Sequence, residues 1–396
     1  MKTKHLTGKC LTMALMGTMA FGTAACSDDD YELPTHNTIE CITGANKLAM
    51  IHSMKDIDGA GRLYEINYTE DYKLDAVLQS GKTTTEDLFT YVASLLYDQM
   101  PSHKVQLNYG AGCSAFAVPR ADGIGFLMGR NYDYRHFTPD KKSYIPTAAI
   151  LVHTAPKDGK KSISMVDGMQ MGYRQGFYTD GSSDLSMLMG LPYAALDGIN
   201  EDGFAIGVLA LNERPTTQEG NNTKISTTVA IRMLLDRAST VKEAVEMLRG
   251  YDMDMNGTGH SNYHFFMADA TGDYAIVEYT IPAQDSIPRT MEVLTGNDTL
   301  RCVTNFYVSP TMVGTQDGWG SNHGKARYET IRNTLLYKNY TLKEDEAMSL
   351  LKAVSQPPTL ELTSQTQWSS LYNLTERTLR LTILREYARE FNFKVE

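Results

Sequence analysis

A glycine–cysteine pair at the start of a strand pattern constrains this chain more than any other feature. Gly112 and Cys113 open an alternating apolar run that reaches Val118, and a turn at Asp122-Gly123 separates it from a second apolar run. Two such runs around an Asp-Gly turn are typical of a β-hairpin. The pattern therefore predicts a cysteine at the start of one strand and, on the next strand, a polar cluster, Gly129-Arg130-Asn131-Tyr132-Asp133-Tyr134.

A cysteine in this position can act as a nucleophile if a base accepts its proton. A free cysteine titrates near ~8.5, so it is mostly thiol at neutral pH. If Cys113 were the first residue of a mature chain, its own α-amine, with a pKa of about 7.7, would be that base. Exposing the amine requires a cut after Gly112, and glycine tolerates the strained geometry of an attacked peptide. The alternative is a structural cysteine buried in a strand, the commoner role of this residue.

The remaining patterns predict strands, then helices, then strands again, an order that favours two antiparallel sheets covered by helices. Before Gly112, residues 62–68 alternate as a short strand, and Thr84 precedes an apolar helical stripe that includes Leu88 and Val92. The strands expected after it are 113–118, 125–128, 148–153, 204–211, 263–267, 274–279, 302–307, 367–373 and 378–384, and the helices are 227–237, 240–250, 326–337 and 341–354.

The first residues have the pattern of an export signal. A basic start, an apolar core at 11–21 and a small-residue site before Cys26 predict a signal peptide over residues 1–25. The apolar core is too short to span a bilayer comfortably. A cysteine after such a site resembles a bacterial lipobox, so we expect an exported lipoprotein, periplasmic or on the outer-membrane surface, with a polar tether at 26–45 and a lipid on Cys26. Ordinary secretion is the alternative.

Charge and cysteine content narrow the possible partners. The net charge of −10, without a basic stripe, argues against a nucleic-acid partner. Cys41, Cys113 and Cys302 form neither a disulfide framework nor a zinc pattern. One bridge between Cys41 and Cys302 can form in an oxidising compartment, but nothing in the sequence requires it.

Four motifs together resemble one known family. Cys113-Ser114 with the cluster at 129–134 resembles the start of the choloylglycine hydrolase family and of its relatives, the isopenicillin-N acyltransferase-like peptidases and acid ceramidases. Three later motifs resemble those of the family in the same order: Asp197-Gly198-Ile199-Asn200-Glu201-Asp202-Gly203-Phe204, Val303-Thr304-Asn305-Phe306 and Lys325-Ala326-Arg327-Tyr328. The resemblance implies an α+β fold of the N-terminal nucleophile (Ntn) hydrolase type, a four-layer αββα sandwich of two antiparallel sheets at 113–396. A small pro-segment of helices and a strand, at 46–112, would precede it.

The resemblance also implies the roles of individual residues. Cys113 would be the nucleophile, with its α-amine as base, and Arg130 would favour the thiolate. Asp133 would accept a hydrogen bond from the amine, Asn305 would position the amine or the leaving group, and Arg327 would support Asp133. Cleavage would fall between Gly112 and Cys113.

The oxyanion donor implied by the family is an asparagine, and Asn212 is the one in the right stretch. It lies two residues beyond the simplest alignment with the bile-salt enzymes, which places Ala210 there. A shift of two residues along a strand keeps the same face. The backbone N–H of Ser114 can share this role.

The activity implied is hydrolysis of linear carbon–nitrogen amides through a thioester on Cys113. We expect a small N-acyl amide substrate of the bile-salt, fatty-acyl or phenoxyacyl type, with no metal or organic cofactor, membrane contact only through the lipid anchor, and possible homo-oligomers. Two alternatives stay open. One is acyl transfer to an amine, and the other is a non-catalytic, ligand-binding surface lipoprotein.

Overall fold

The computed structural model describes residues 37–100, 112–138, 140, 142–181, 183–211, 216–255, 262–281, 289–296, 301–312, 324–359 and 364–396. The predicted signal peptide, Cys26 and Asn212 lie outside these ranges. Within the ranges, none of the helices has the length and apolar character needed to cross a bilayer.

Two β-sheets form the centre of the described structure. The larger has the strand order β1-β2-β7-β8-β9-β10-β13-β14-β15, and the smaller β16-β3-β4-β17-β18-β19. The strands are β1 (Lys55–Asp56), β2 (Leu63–Tyr68), β3 (Gly112–Pro119), β4 (Phe126–Asp133), β5 (His136–Phe137), β6 (Tyr144–Ile145), β7 (Ala149–Thr154), β8 (Ser162–Asp167), β9 (Ala195–Asn200), β10 (Ala205–Leu211), β11 (Lys224–Ile225), β12 (Asp252–Met253), β13 (Asn262–Ala268), β14 (Tyr274–Thr280), β15 (Thr290–Leu294), β16 (Cys302–Val303), β17 (Thr366–Asn373), β18 (Thr378–Ile383) and β19 (Phe391–Lys394).

Helices cover the outer faces of both sheets. Helix α4 packs on β9 and β10 of the larger sheet, while α6 and α7 pack on the smaller sheet. The resulting layers confirm the predicted αββα sandwich. The α-helices are α1 (Ala45–His52), α2 (Leu74–Ser80), α3 (Thr85–Leu96), α4 (Thr227–Arg237), α5 (Val241–Arg249), α6 (Lys325–Tyr337) and α7 (Glu344–Ala353), and 3₁₀ helices cover Gly168–Met171 and Leu185–Ala194.

Local capping chemistry explains where several helices begin. The Thr84 side chain accepts from the N–H of Asp87 at the start of α3, and Thr240 does the same for Glu243 in α5, as predicted. Helix α7 begins later than predicted, at Glu344. The reason is that Leu342 bonds through its backbone to the end of β3 and the following turn and is therefore not helical.

The strand before Gly112 joins the larger sheet through a parallel pairing. All six residues of β2 pair with β7, which adds one parallel pairing to the larger sheet. Its strands after residue 112 pair antiparallel with one another, as predicted. Leu63, Tyr64, Ile66 and Tyr68 of β2 are buried in the core. In the uncleaved chain, residues before and after Gly112 thus belong to one hydrophobic core. The division into a pro-segment and a catalytic domain stays a prediction about cleavage.

The three cysteines within the described ranges are not cross-linked. Cys41 and Cys302 are both buried and free, and they belong to different hydrophobic clusters. The disulfide that the sequence permits between them is therefore not formed.

Candidate active site

Cys113 lies on β3, between β16 and β4, with Tyr132 directly opposite in the register. Its side chain is completely buried. Side chains that oppose each other in a sheet share a face, so the thiol points with Tyr132 toward the larger sheet. There, Nη2 of Arg130 lies 3.7 Å from Sγ. The hairpin predicted from the sequence therefore brings the cysteine and the arginine together.

Arg130 is completely buried and is held by the opposite sheet. Its Nη1 forms an ion pair with Asp197 of β9, and its Nη2 donates to the carbonyl of Val208, 2.8 Å away. A Cβ at Gly207 would lie 2.8 Å from Cδ of Arg130, so the guanidinium arm needs glycine at this point of β10. The position of Arg130 is thus set by contacts between the two sheets.

Asp197 is the functional residue that sequence reasoning missed. It accepts hydrogen bonds from three side chains of β17 in addition to Arg130: Nε1 of Trp368 at 3.1 Å, Oγ of Ser370 at 3.4 Å and the hydroxyl of Tyr372. Its sequence signal was the first position of the motif at 197–204, to which the family resemblance assigned no site role.

The thiol of Cys113 is protonated at neutral pH in the uncleaved chain. Burial raises the pKa of Cys113 to about 11, with the Arg130 charge opposing this and the Asp133 carboxyl adding to it. The cysteine therefore needs a base before it can act as a nucleophile.

Asn305 and Arg327 form hydrogen bonds with the backbone of Cys113. The N–H of Cys113 donates to Oδ1 of Asn305 at 2.8 Å, and Nη2 of Arg327 donates to the same oxygen at 2.8 Å. Nη1 of Arg327 donates to the carbonyl of Cys113. The amide of Asn305 is fixed by a bond from Nδ2 to the carbonyl of Ala210, 2.7 Å long.

Asp133 lies beside this group and is completely buried. Oγ1 of Thr366 donates to it at 2.5 Å and Nε2 of Gln356 at 3.1 Å, while Nη1 of Arg327 lies 3.5 Å from Oδ2. Burial raises the pKa of this carboxyl, and the Arg327 charge opposes the rise. In the uncleaved chain the N–H of Cys113 donates to Asn305, so the role of Asp133 as acceptor for a freed amine stays a prediction.

The layered fold indicates the class of protein. Two facing sheets between helical layers have the architecture of Ntn hydrolases. The sequence profile of the family described as acyl-coenzyme A:6-aminopenicillanic acid acyl-transferase matches residues 120–386. The chain belongs to this family.

Comparison of structures gives distant likenesses. A mutant of the conjugated bile acid hydrolase from Clostridium perfringens is 15% identical, covering 71% of this chain and 92% of that one, with a TM-score of 0.48. Penicillin V acylase from Agrobacterium tumefaciens is 16% identical over 68% of this chain and 83% of that one, with a TM-score of 0.44. A search of curated protein sequences gives no match.

Proposed function

We propose that this protein is a cysteine amidohydrolase that cuts its own chain between Gly112 and Cys113 and then hydrolyses linear N-acyl amides. One observation carries the proposal. Three polar side chains, Arg130, Asn305 and Arg327, each contact a different atom of Cys113: its sulfur, its nitrogen and its carbonyl oxygen. A cysteine that only fills a core needs none of these contacts.

Self-cleavage is the first step of the proposed reaction. The Cys113 thiol loses its proton to water, the thiolate sulfur attacks the carbonyl carbon of Gly112, the carbon–nitrogen bond breaks, and the nitrogen of Cys113 takes a proton from water. Water then hydrolyses the Gly112 thioester, which leaves a carboxylate on Gly112 and a free amine on Cys113. Asn305 already holds this nitrogen in the uncleaved chain, so the amine is formed in place.

The freed amine then serves as the base for amide hydrolysis. An α-amine has a pKa of about 7.7, so near neutral pH it is partly unprotonated and accepts the thiol proton. The thiolate attacks the substrate carbonyl, the amine delivers its proton to the leaving nitrogen, and water hydrolyses the acyl thioester. Arg130 stabilises the thiolate through its charge.

An apolar acyl group suits the surroundings of the thiol. Met165 of β8 lies directly opposite Asp197 in the register and shares its face of the sheet, and a methionine forms an adaptable wall for an apolar ligand. We therefore propose acyl groups of the bile-acid, fatty-acid or phenoxyacyl kind. The family match favours a second candidate, transfer of the acyl group from the thioester to an amine.

The proposal is tested by intact mass and by released amine. The wild-type protein should split before Cys113, and Cys113→Ala should remain whole. Cys302→Ala is the matched control, because it removes a second buried cysteine from the same sheet and should leave the splitting unchanged. Taurine, glycine and ethanolamine amides and penicillin V should release their amines with the wild type and with Cys302→Ala, and not with Cys113→Ala.

Two results would change this assignment. Wild type that never splits favours a ligand-binding protein with a structural cysteine. Wild type that splits, but consumes substrate only when an acceptor amine is added, favours acyl transfer.

A further inference from the structure

A buried histidine–glutamate pair lies on the larger sheet, next to the segment that carries Asn305. His264 on β13 and Glu278 on β14 are both completely buried. Nδ1 of His264 lies 2.9 Å from Oε1 of Glu278. Burying two ionisable side chains is costly unless both are paired and hydrogen-bonded. The mechanism described above does not use this pair, so its presence needs another reason.

The other bonds of the pair all go to one stretch of backbone. Nε2 of His264 lies 2.8 Å from the carbonyl of Thr304. The N–H groups of Val308 and Ser309 donate to the two oxygens of Glu278 at 3.0 and 2.9 Å. Since a carbonyl can only accept, Nε2 of His264 is the donor to Thr304.

The stretch held in this way is residues 304–309, which follow β16. This segment is neither helix nor strand, so it lacks the regular backbone hydrogen bonds that a sheet would provide. Buried backbone groups outside such ladders need other partners. The pair supplies them at both ends, and Asn305 lies between those ends.

We propose that His264 and Glu278 are positioning residues that hold Asn305 against the nitrogen of Cys113, both in the uncleaved chain and after cleavage. The inference rests on the proposed function. The path runs from Glu278 and His264 to the backbone of 304–309, then through Oδ1 of Asn305 to the N–H of Cys113, 2.8 Å away. A displacement of about 1 Å in such a contact lowers a rate on the order of 100-fold.

The first test measures the rate of self-cleavage. Glu278→Gln keeps the size of the side chain, but its –NH2 group would face one of the two amide donors. His264→Asn keeps a polar amide near the position of Nδ1 and removes the donor to Thr304. For both variants, made by cell-free synthesis and followed by intact mass, we expect cleavage to slow on the order of 10- to 100-fold. Val277→Ala, a buried apolar change beside Glu278, is the matched control and should cleave at the wild-type rate.

The second test separates positioning from support of the fold. Oδ1 of Asn305 accepts a hydrogen bond from the Cys113 nitrogen, and this bond favours the protonated form of the freed amine. Weakening the bond should therefore lower the pKa of the amine and move the acidic limb of the kcat/KM profile to lower pH. The charged groups facing this amine, Arg130, Asp133 and Arg327, are unchanged in the variants. Glu278→Gln should shift the limb in the same direction as Asn305→Ala and add nothing to it in the double variant.

The outcomes distinguish this inference from the proposed function. Wild type that neither splits nor hydrolyses amides overturns the proposed function itself. Active wild type, with folded Glu278→Gln and His264→Asn variants that keep its cleavage rate and pH limb, overturns only the positioning role. The positioning role is also overturned if the effects of Glu278→Gln and Asn305→Ala are fully additive in the double variant. If Glu278→Gln does not fold, His264→Asn alone and in the Asn305→Ala background decides the question.

Discussion

Arg130 and Asp197 form a completely buried ion pair that connects the two sheets, and the arginine keeps its second terminal nitrogen 3.7 Å from the sulfur of Cys113. The carboxylate is needed because a guanidinium alone could not be buried at this depth. The contact between Arg130 and the sulfur of Cys113 therefore depends on a residue of the opposite sheet.

Replacing this carboxylate should destabilise the protein. Asp197→Asn leaves the Arg130 charge buried without compensation, which costs about 3–5 kcal/mol. We expect that loss in the free energy of unfolding, measured in urea on the uncleaved Cys113→Ala protein. Asp202→Asn is the control: its partner Lys160 is partly exposed, and such pairs contribute about 0–1 kcal/mol. Equal losses in the two variants would contradict the structural role of Asp197.

Self-cleavage and amide hydrolysis should depend differently on pH. The thiol that starts self-cleavage has a pKa raised by burial to about 11. Below that value the thiolate fraction rises tenfold for each pH unit, so the cleavage rate should still be increasing at pH 9. Amide hydrolysis uses the freed amine and should level off above about pH 8. Intact mass and amine release, recorded over the same pH range, compare the two. A cleavage rate that is flat between pH 7 and 9 would be incompatible with direct attack by the thiolate.

Arg327 should not be replaceable by lysine. Its two terminal nitrogens bind the carbonyl of Cys113 and Oδ1 of Asn305 at the same time, and a lysine ammonium lacks this fork geometry. Losing one such contact in a reacting site costs on the order of 100- to 1000-fold. Arg327→Lys should therefore slow self-cleavage by about that factor, whereas Arg332→Lys, on the exposed side of the same helix, should have no effect. Similar rates for the two variants would remove Arg327 from the mechanism.

The sequence predicted those parts of the site that depend on local pattern. The alternation along β3 and β4 was sufficient to place Cys113 and Arg130 on neighbouring strands. The Asn-Glu-Asp-Gly sequence at 200–203 is typical of a turn, and Oδ1 of Asn200 accepts from the N–H groups of Asp202 and Phe204. Asn305 and Arg327 came only from the family resemblance, since neither has a local pattern.

Contacts between distant segments could not be predicted in the same way. The alternation at 62–68 indicated a strand, but it contains no information about the partner β7. Asp197 stands at the head of a turn motif, and its role becomes visible only when β4 and β17 of the other sheet face it. His264 and Glu278 were hidden in apolar strand patterns for the same reason.

The pairing of β2 with β7 should keep the two chains together after cleavage. Six residues of β2 pair with β7, and its buried side chains would be exposed if the pro-segment left. Hydroxyl groups add specific bonds, from Tyr68 to the carbonyl of Met189 at 2.8 Å and from Tyr72 to Asp236 at 2.6 Å. We therefore expect the cleaved chains to elute together in size-exclusion chromatography and to separate only in denaturant.

A charge placed in the core of this strand should break that association. Ile66→Asp puts a carboxylate at a buried position of β2, so the protein should lose the pro-segment after cleavage or fail to fold. Asn67→Asp, at the adjacent exposed position, is the control and should retain it. If Cys26 carries a lipid as the sequence predicts, the wild-type catalytic chain should also sediment with membranes and be released by urea. After cleavage the anchor at Cys26 and the nucleophile Cys113 would lie on separate polypeptides. Release of the catalytic chain from the membrane without denaturant would therefore mean that the pairing of β2 with β7 does not survive the cut.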